Sequence, residues 1–68
     1  MQLIARQSRE EAEEMATALS YSQPALTSTI FFSRIRKTWV LCIEGDPLTD
    51  GSLEVLNQIS DSHPENSL

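Results

Sequence analysis

The segment from Thr27 to Glu44 constrains the fold of this chain more than any other part of the sequence. It is rich in β-branched and aromatic residues, and it is much longer than a typical strand of about 5–6 residues. The polar cluster Arg34-Ile35-Arg36-Lys37 is the natural place for the chain to turn back. No Asn-Gly or Gly-Gly pair is present there, so we expect a loop of about four or five residues. The segment therefore predicts a hairpin of two antiparallel strands.

Both faces of this hairpin are apolar. Alternation places Val40 and Cys42 on one face of the second strand, and the opposite face carries Trp39, Leu41 and Ile43. In the first strand, Phe31 and Ile35 oppose Ile30 and Phe32. An antiparallel sheet with one solvated face normally alternates apolar and polar residues. We therefore expect the second face to meet another protein or a second copy of the chain. The alternative is that two helices flank opposite faces.

A helix is predicted from about residue 9 to residue 20. Ser8-Arg9-Glu10-Glu11 forms a capping box, in which the Ser8 hydroxyl accepts a backbone N–H and Glu11 reaches back to the cap. Apolar residues then recur at helical spacing on one face, at Ala12, Met15, Ala16 and Leu19. Pro24 prevents a much longer helix, because the residue before a proline is driven toward extended geometry.

Shorter elements flank these two. Residues 2–6 predict a first strand with Leu3 and Ala5 on one side and Ile4 on the other. After Gly45, Asp46 and Thr49 are both possible caps of a second helix, and Gly51 favours a start after Asp50. The apolar side of that helix carries Leu53, Leu56 and Ile59, with Val55 beside them.

The resulting order is β-α-β-β-α, which predicts an α+β fold of two layers, with a three-stranded sheet and helices packed on it. Residues 1–60 form a single small domain, and residues 61–68 a flexible C-terminal tail. If the first strand lies parallel to its neighbour in the sheet, we expect the connection through the first helix to be right-handed. The expected core is Leu3, Ala12, Met15, Ala16, Leu19, Ile30, Phe32, Trp39, Leu41, Ile43, Leu53, Leu56 and Ile59. If the other sheet face packs on the helices, Phe31, Val40 and Cys42 are core residues in place of part of this set.

The size of the chain favours association with a partner. At 68 residues with one cysteine, it has no internal disulfide to supplement a small core. A single cysteine and no secretory signal indicate a reducing, cytoplasmic location. No apolar stretch reaches the length of about 20 residues that a membrane span needs. We therefore expect a homo-oligomer or a bound protein partner, and no membrane.

Catalysis is not predicted. His63 is the only histidine and falls in the predicted tail, and Cys42 lies between apolar strand residues, where a thiol behaves as a small apolar group. Neither has the neighbours that a nucleophile needs. Gly45 and Gly51 stand alone, so no phosphate loop is present. The sequence predicts no cofactor and no metal site, since carboxylates on one convex helix surface do not converge on a cation.

Charged residues provide two candidate partner-binding surfaces. Three of the five basic residues, Arg34, Arg36 and Lys37, fall at the hairpin turn with Trp39 close by. They can hold an acidic protein patch, or grip phosphate while Trp39 stacks a base, or simply form a solvated turn. The net charge of −5 weighs against nucleic acid.

The second candidate surface is acidic. Glu10, Glu13 and Glu14 can share one helix face, which either docks on a basic groove or is solvated. Asp46, Asp50 and Glu54 enlarge it if the second helix lies beside the first. Acidic helices and a basic turn also make the chain electrically bipolar, which favours tip-to-helix contact between two copies.

The function predicted from these features is a small acidic protein-binding module, a regulator, adaptor or inhibitor of a larger protein complex, without catalytic activity. One alternative is a module that contacts nucleic acid through the basic turn. Another is a structural subunit of an assembly.

Overall fold

A computed structural model describes residues 1–63, which fold into a three-stranded sheet and two helices in the predicted order. The elements are β1 Gln2–Arg6, α1 Arg9–Ser22, β2 Thr27–Ser33, β3 Thr38–Glu44 and α2 Asp50–Asp61. The order in the sheet is β1-β3-β2, and both pairs are antiparallel. The α+β class and the element order are confirmed. The neighbour of β1 is β3, which is antiparallel to it, so the first strand is not parallel to its neighbour. It is parallel to β2, and β1-α1-β2 is a crossover connection between parallel strands with β3 between them.

Both helices pack on the same face of the sheet. Ile4, Leu41 and Ile30 are register partners across the three strands, and they contact one hydrophobic core. The buried residues of that core come from α1, β3 and α2, namely Met15, Leu19, Leu41, Ile43 and Leu56. We call this side of the sheet the inner face and the opposite side the outer face. The helices therefore do not flank opposite faces.

Three residues predicted for the core are instead substantially exposed. Leu3 is 62% exposed because it pairs with Cys42 on the outer face, while Ile4 supplies the inner-face contact from β1. Phe32 is 46% exposed at the hairpin end of the inner face, and Leu53 is 44% exposed on α2. The alternation within β1 was predicted, but the face that meets the helices was wrong.

Backbone and side-chain hydrogen bonds cap helix α1 at both ends. The Ser8 Oγ accepts a hydrogen bond from the Glu11 backbone N–H at 3.1 Å. At the other end, the Gln23 N–H donates to the Leu19 carbonyl at 2.8 Å, and Pro24 follows. The helix extends two residues beyond the predicted end and buries the expected face.

A polar network joins the start of α2 to the end of α1. Ser52 is fully buried, and its hydroxyl lies 2.9 Å from that of Ser22. Thr49, not Asp46, caps α2, since its Oγ1 accepts from the Ser52 N–H at 3.1 Å. The Gln23 side chain accepts from the Thr49 N–H at 2.9 Å. These contacts place the start of α2 beside the end of α1, so the helices are antiparallel.

The link from β3 to α2 depends on Gly45, whose φ of +128° is rarely adopted by other residues. A Cβ at this position would also lie 2.9 Å from Leu26 Cδ2. We expect Gly45→Ala to lower the free energy of unfolding by about 1–3 kcal/mol, mainly through backbone strain.

Gly51→Ala is the matched control for this prediction. Gly51 lies within α2, and the nearest atom to an added Cβ is Thr49 Oγ1 at 3.9 Å. Alanine favours helix over glycine, so we expect Gly51→Ala to be neutral or to stabilise by up to about 1 kcal/mol. Urea unfolding of both variants tests the assignment. Equal losses for the two would contradict the strain at Gly45.

The C-terminal end of α2 returns to α1. The helix runs to Asp61, and the His63 N–H donates to the Ser60 carbonyl at 3.1 Å. His63 Nε2 lies 3.2 Å from Glu14 Oε1, and the histidine side chain is largely covered. The first residues of the segment predicted as a tail thus contact the domain. The rest of that segment, residues 64–68, lies outside the described residues.

Candidate functional site

The hairpin tip is a four-residue loop, Arg34–Lys37, within the predicted length. The Lys37 N–H donates to the Ser33 carbonyl at 2.7 Å, and Lys37 adopts a left-handed φ of 57°. All three basic side chains are exposed, and Ile35 between them is 96% exposed. The tip therefore presents three cations around one apolar side chain.

Trp39 does not join this exposed surface. Its ring lies on the inner face, where Phe32 packs edge-on at a centroid distance of 5.3 Å. The Arg9 guanidinium carbon lies 5.5 Å from the Trp39 ring centroid, so α1 contacts the ring as well. These contacts account for the partial burial of Trp39 and occupy surface that a stacked base would need.

The acidic residues predicted to share one face of α1 do so. Glu10, Glu13 and Glu14 are exposed and line one shallow groove with Ile59 of α2. Glu13 Oε1 pairs with Arg9 Nε at 3.1 Å, and Glu14 contacts His63. Two of the three carboxylates thus already have partners within the chain, which weakens their attraction for a basic protein.

Charge is distributed differently from the prediction. All five basic residues lie at the hairpin end of the sheet, because Arg6 pairs with Trp39 in register and Arg9 contacts its ring. Glu10, in the first turn of α1, lies at this same end. Acidic helices and a basic tip are therefore not opposite poles.

The opposite end of the domain, which we call the far end, is acidic. It carries Glu44, Asp46 and Asp50. Asp50 starts α2 beside Ser22, and Ser22 is about 18 Å along α1 from Glu10 at a rise of about 1.5 Å per residue. Asp46 and Asp50 therefore form a separate acidic surface and do not enlarge that of Glu10.

The outer face of the sheet carries an apolar surface that neither helix covers within residues 1–63. A shallow groove on it is lined by Leu3, Ala5, Phe31, Ser33, Arg36 and Val40. Leu3 is 62% and Phe31 45% exposed, while Val40 in the central strand is buried between its neighbours. Between Glu44 at one end and Arg36 at the other, the strand positions of this face carry no charge. The sequence signal for it was the apolar alternation of both hairpin strands.

A buried ion pair holds the hairpin end of the domain together. Arg6 Nε lies 2.9 Å from Glu11 Oε2, and the Glu11 side chain is fully buried. The pair joins the last residue of β1 to the first turn of α1. Sequence reasoning assigned Glu11 only to the helix cap, because nothing in the local pattern shows that Arg6 points toward it.

Two further kinds of feature, a metal site and a membrane-spanning helix, are absent from the described residues. Residues 1–63 contain no group of three His, Cys, Asp or Glu side chains that could hold a metal ion. No helix in this range is long and apolar enough to cross a membrane. Cys42 is a partly buried free thiol on the outer face. Comparisons with protein-family models, with curated proteins and with solved structures found no match to this chain.

Proposed function

We propose that this chain is a small non-catalytic protein-binding module that holds its partner on the outer face of its sheet. The observation that carries the proposal is the exposed apolar surface of Leu3 and Phe31, which both helices leave uncovered. Contiguous exposed apolar surface on a soluble domain commonly marks an interaction site. A regulator, adaptor or inhibitor of a larger complex in the cytoplasm fits this architecture.

The groove on this face suggests the chemistry of the partner. Its lining is apolar at Ala5, Phe31 and Val40, and the exposed Arg36 also lines it. An apolar side chain next to a carboxylate fits such a groove, since the first removes apolar area from water and the second pairs with a guanidinium. Arg34 and Lys37 add attraction for acidic surfaces, which mainly raises the association rate.

Contact with nucleic acid is the second candidate function, and the exposed cations Arg34, Arg36 and Lys37 favour it. The net charge of −5 and the engagement of Trp39 by Arg9 and Phe32 weigh against it. The remaining alternative is a structural subunit of an assembly, which uses the same outer face. It differs from a regulatory module in that the purified complex has a fixed stoichiometry.

Quantitative affinity capture from native lysate, with and without nuclease, tests the proposal. The informative variant is Ala5→Glu, which places a charge in the outer-face groove, and the matched control is Ala25→Glu in the exposed loop before β2. We expect wild type and Ala25→Glu to recover the same partner. We expect Ala5→Glu to lose about tenfold or more of it, because a carboxylate then replaces apolar groove surface and competes with the partner's carboxylate for Arg36.

Two results would contradict the proposal. Equal capture by folded Ala5→Glu and Ala25→Glu would remove the outer face as the docking surface. Capture that disappears with nuclease, and with Arg34→Ala, Arg36→Ala and Lys37→Ala combined, would assign the function to the basic tip. Circular dichroism of each variant confirms that it is folded.

A further inference from the structure

We propose that β2 is the interface for a second copy of this chain, with two β2 strands pairing antiparallel about a two-fold axis near Ile30. This inference goes beyond the proposed function, because it concerns the edge of the sheet and not its outer face. It rests on the exposure of the β2 edge, the composition of β2 and the distribution of charge.

Strand β2 is an edge of the sheet that the described part of the chain leaves without a second paired strand. It pairs only with β3 among residues 1–63, so its other side presents unpaired backbone groups. Its sequence TSTIFFS contains no charge, proline or glycine. Natural sheets protect such edges with charges, prolines, bulges or a covering segment, because an open edge recruits another strand. The other edge, β1, is shorter, ends in Arg6 and has Leu53 of α2 close by.

The side chains of β2 are also suited to this pairing. Phe31 and Phe32 point to opposite faces of the sheet and are 45% and 46% exposed. A two-fold axis at Ile30 lets all seven residues of β2 pair. Phe31 then lies opposite Thr29 of the partner subunit on the same face. Pairing therefore continues both faces into a six-stranded sheet and covers part of each phenylalanine.

Charge favours the antiparallel arrangement. At the hairpin tip of each copy, Arg34, Arg36 and Lys37 are exposed, whereas Arg6 and Arg9 are paired with Glu11 and Glu13. The far end carries Glu44, Asp46 and Asp50. Antiparallel pairing places Ser33 opposite Thr27 of the partner subunit, so Arg34, which follows Ser33, lies about two strand spacings or roughly 10 Å from Glu44 of the partner subunit. That separation exceeds the Debye length of about 8 Å at physiological salt, so the attraction is largely screened there and acts mainly at low ionic strength. A parallel pairing places the two tips side by side and repels.

Sedimentation velocity of the purified full chain over a range of concentrations tests the pairing. We expect a reversible monomer–dimer equilibrium, with slower hydrogen exchange of β2 amides at higher concentration. Thr29→Lys places a charge on the edge strand, and we expect it to weaken association by about tenfold or more, since it occurs twice in the dimer. Thr17→Lys, an equal charge change on the exposed side of α1, leaves association unchanged.

A charge swap tests the orientation. Arg34→Glu is expected to weaken the dimer at low ionic strength by about threefold or more, and adding Glu44→Lys to restore it. Adding Glu54→Lys instead gives the same net charge on α2, away from β2, and does not restore it. Failure of Glu44→Lys to restore association better than Glu54→Lys would overturn the antiparallel arrangement.

Two further results would overturn the edge interface. One is a monomer at every concentration, which leaves the proposed function standing because partner capture is measured separately. The other is a dimer that Ala5→Glu abolishes and Thr29→Lys leaves intact, which would place self-association on the outer face.

Discussion

Leu41→Ala is expected to lower the free energy of unfolding by about 3–5 kcal/mol, because it leaves a cavity in the centre of the core. Leu41 is fully buried in the central strand and lies in the same cluster as Met15 and Leu56. A chain of 68 residues has a total stability of roughly 3–10 kcal/mol at typical values per residue. The variant should therefore be largely unfolded, or unfold at a much lower urea concentration.

Leu3→Ala is the control that makes this result informative about the faces of the sheet. Leu3 is also a strand leucine, but it lies on the outer face and is 62% exposed. Its truncation should cost less than about 1 kcal/mol, since most of its surface already meets water. If Leu3→Ala destabilised the protein as much as Leu41→Ala, the assignment of inner and outer faces would be wrong.

Arg6→Met is expected to lower the free energy of unfolding by about 3 kcal/mol. The substitution keeps an apolar stem but leaves the Glu11 carboxylate, which is fully buried, without its guanidinium partner at 2.9 Å. Removing one partner of a buried ion pair typically costs about 3–5 kcal/mol. The lower end applies here because the Arg6 side chain is 24% exposed and partly screened by water. Urea unfolding at neutral pH measures the loss.

Two comparisons separate this effect from a general loss of charge. Arg9→Met removes an exposed pair with Glu13 and the contact with Trp39, and it should cost only about 1 kcal/mol. The double variant Arg6→Met with Glu11→Gln also removes the buried carboxylate charge that Arg6 neutralises, and it should be more stable than Arg6→Met alone. The cycle also needs the single variant Glu11→Gln. If the loss of stability in the double variant equalled the sum of the losses in Arg6→Met and Glu11→Gln, the two residues would not be coupled.

Local signals were enough to predict the elements of the fold. The Ser8 cap and Pro24 bound α1, and the turn at Arg34–Lys37 divides the long β-rich segment into two strands. These signals act over a few residues, so they are readable from one sequence. The choice of sheet face was left open for the hairpin, because both faces of β3 are apolar, and it was wrong for β1, which has an apolar residue on each side. Only the position of the helices decides that Ile4 and Leu41 are core.

The candidate sites were predictable to a lesser degree. The exposed tip and the glutamates on α1 follow from turn chemistry and helical spacing. The placement of all basic residues at one end was not visible, because it depends on how the strands align and on which end α1 begins. The Arg6–Glu11 pair escaped prediction for the same reason, since β1 and α1 meet only through the fold.

The central claim is that a protein partner covers the outer face of the sheet. The reactivity of the Cys42 thiol shows whether this face is covered. Cys42 is the only cysteine of the chain, and it lies on this face between Leu3 and Thr29. The most direct measurement is the rate of alkylation of the Cys42 thiol, read by mass spectrometry, for the free chain and for the complex isolated by capture. Alkylation about tenfold or more slower in the complex is the predicted result, because the reagent reaches a covered thiol only after dissociation. An equal rate in the free chain and the complex would show that the partner binds elsewhere.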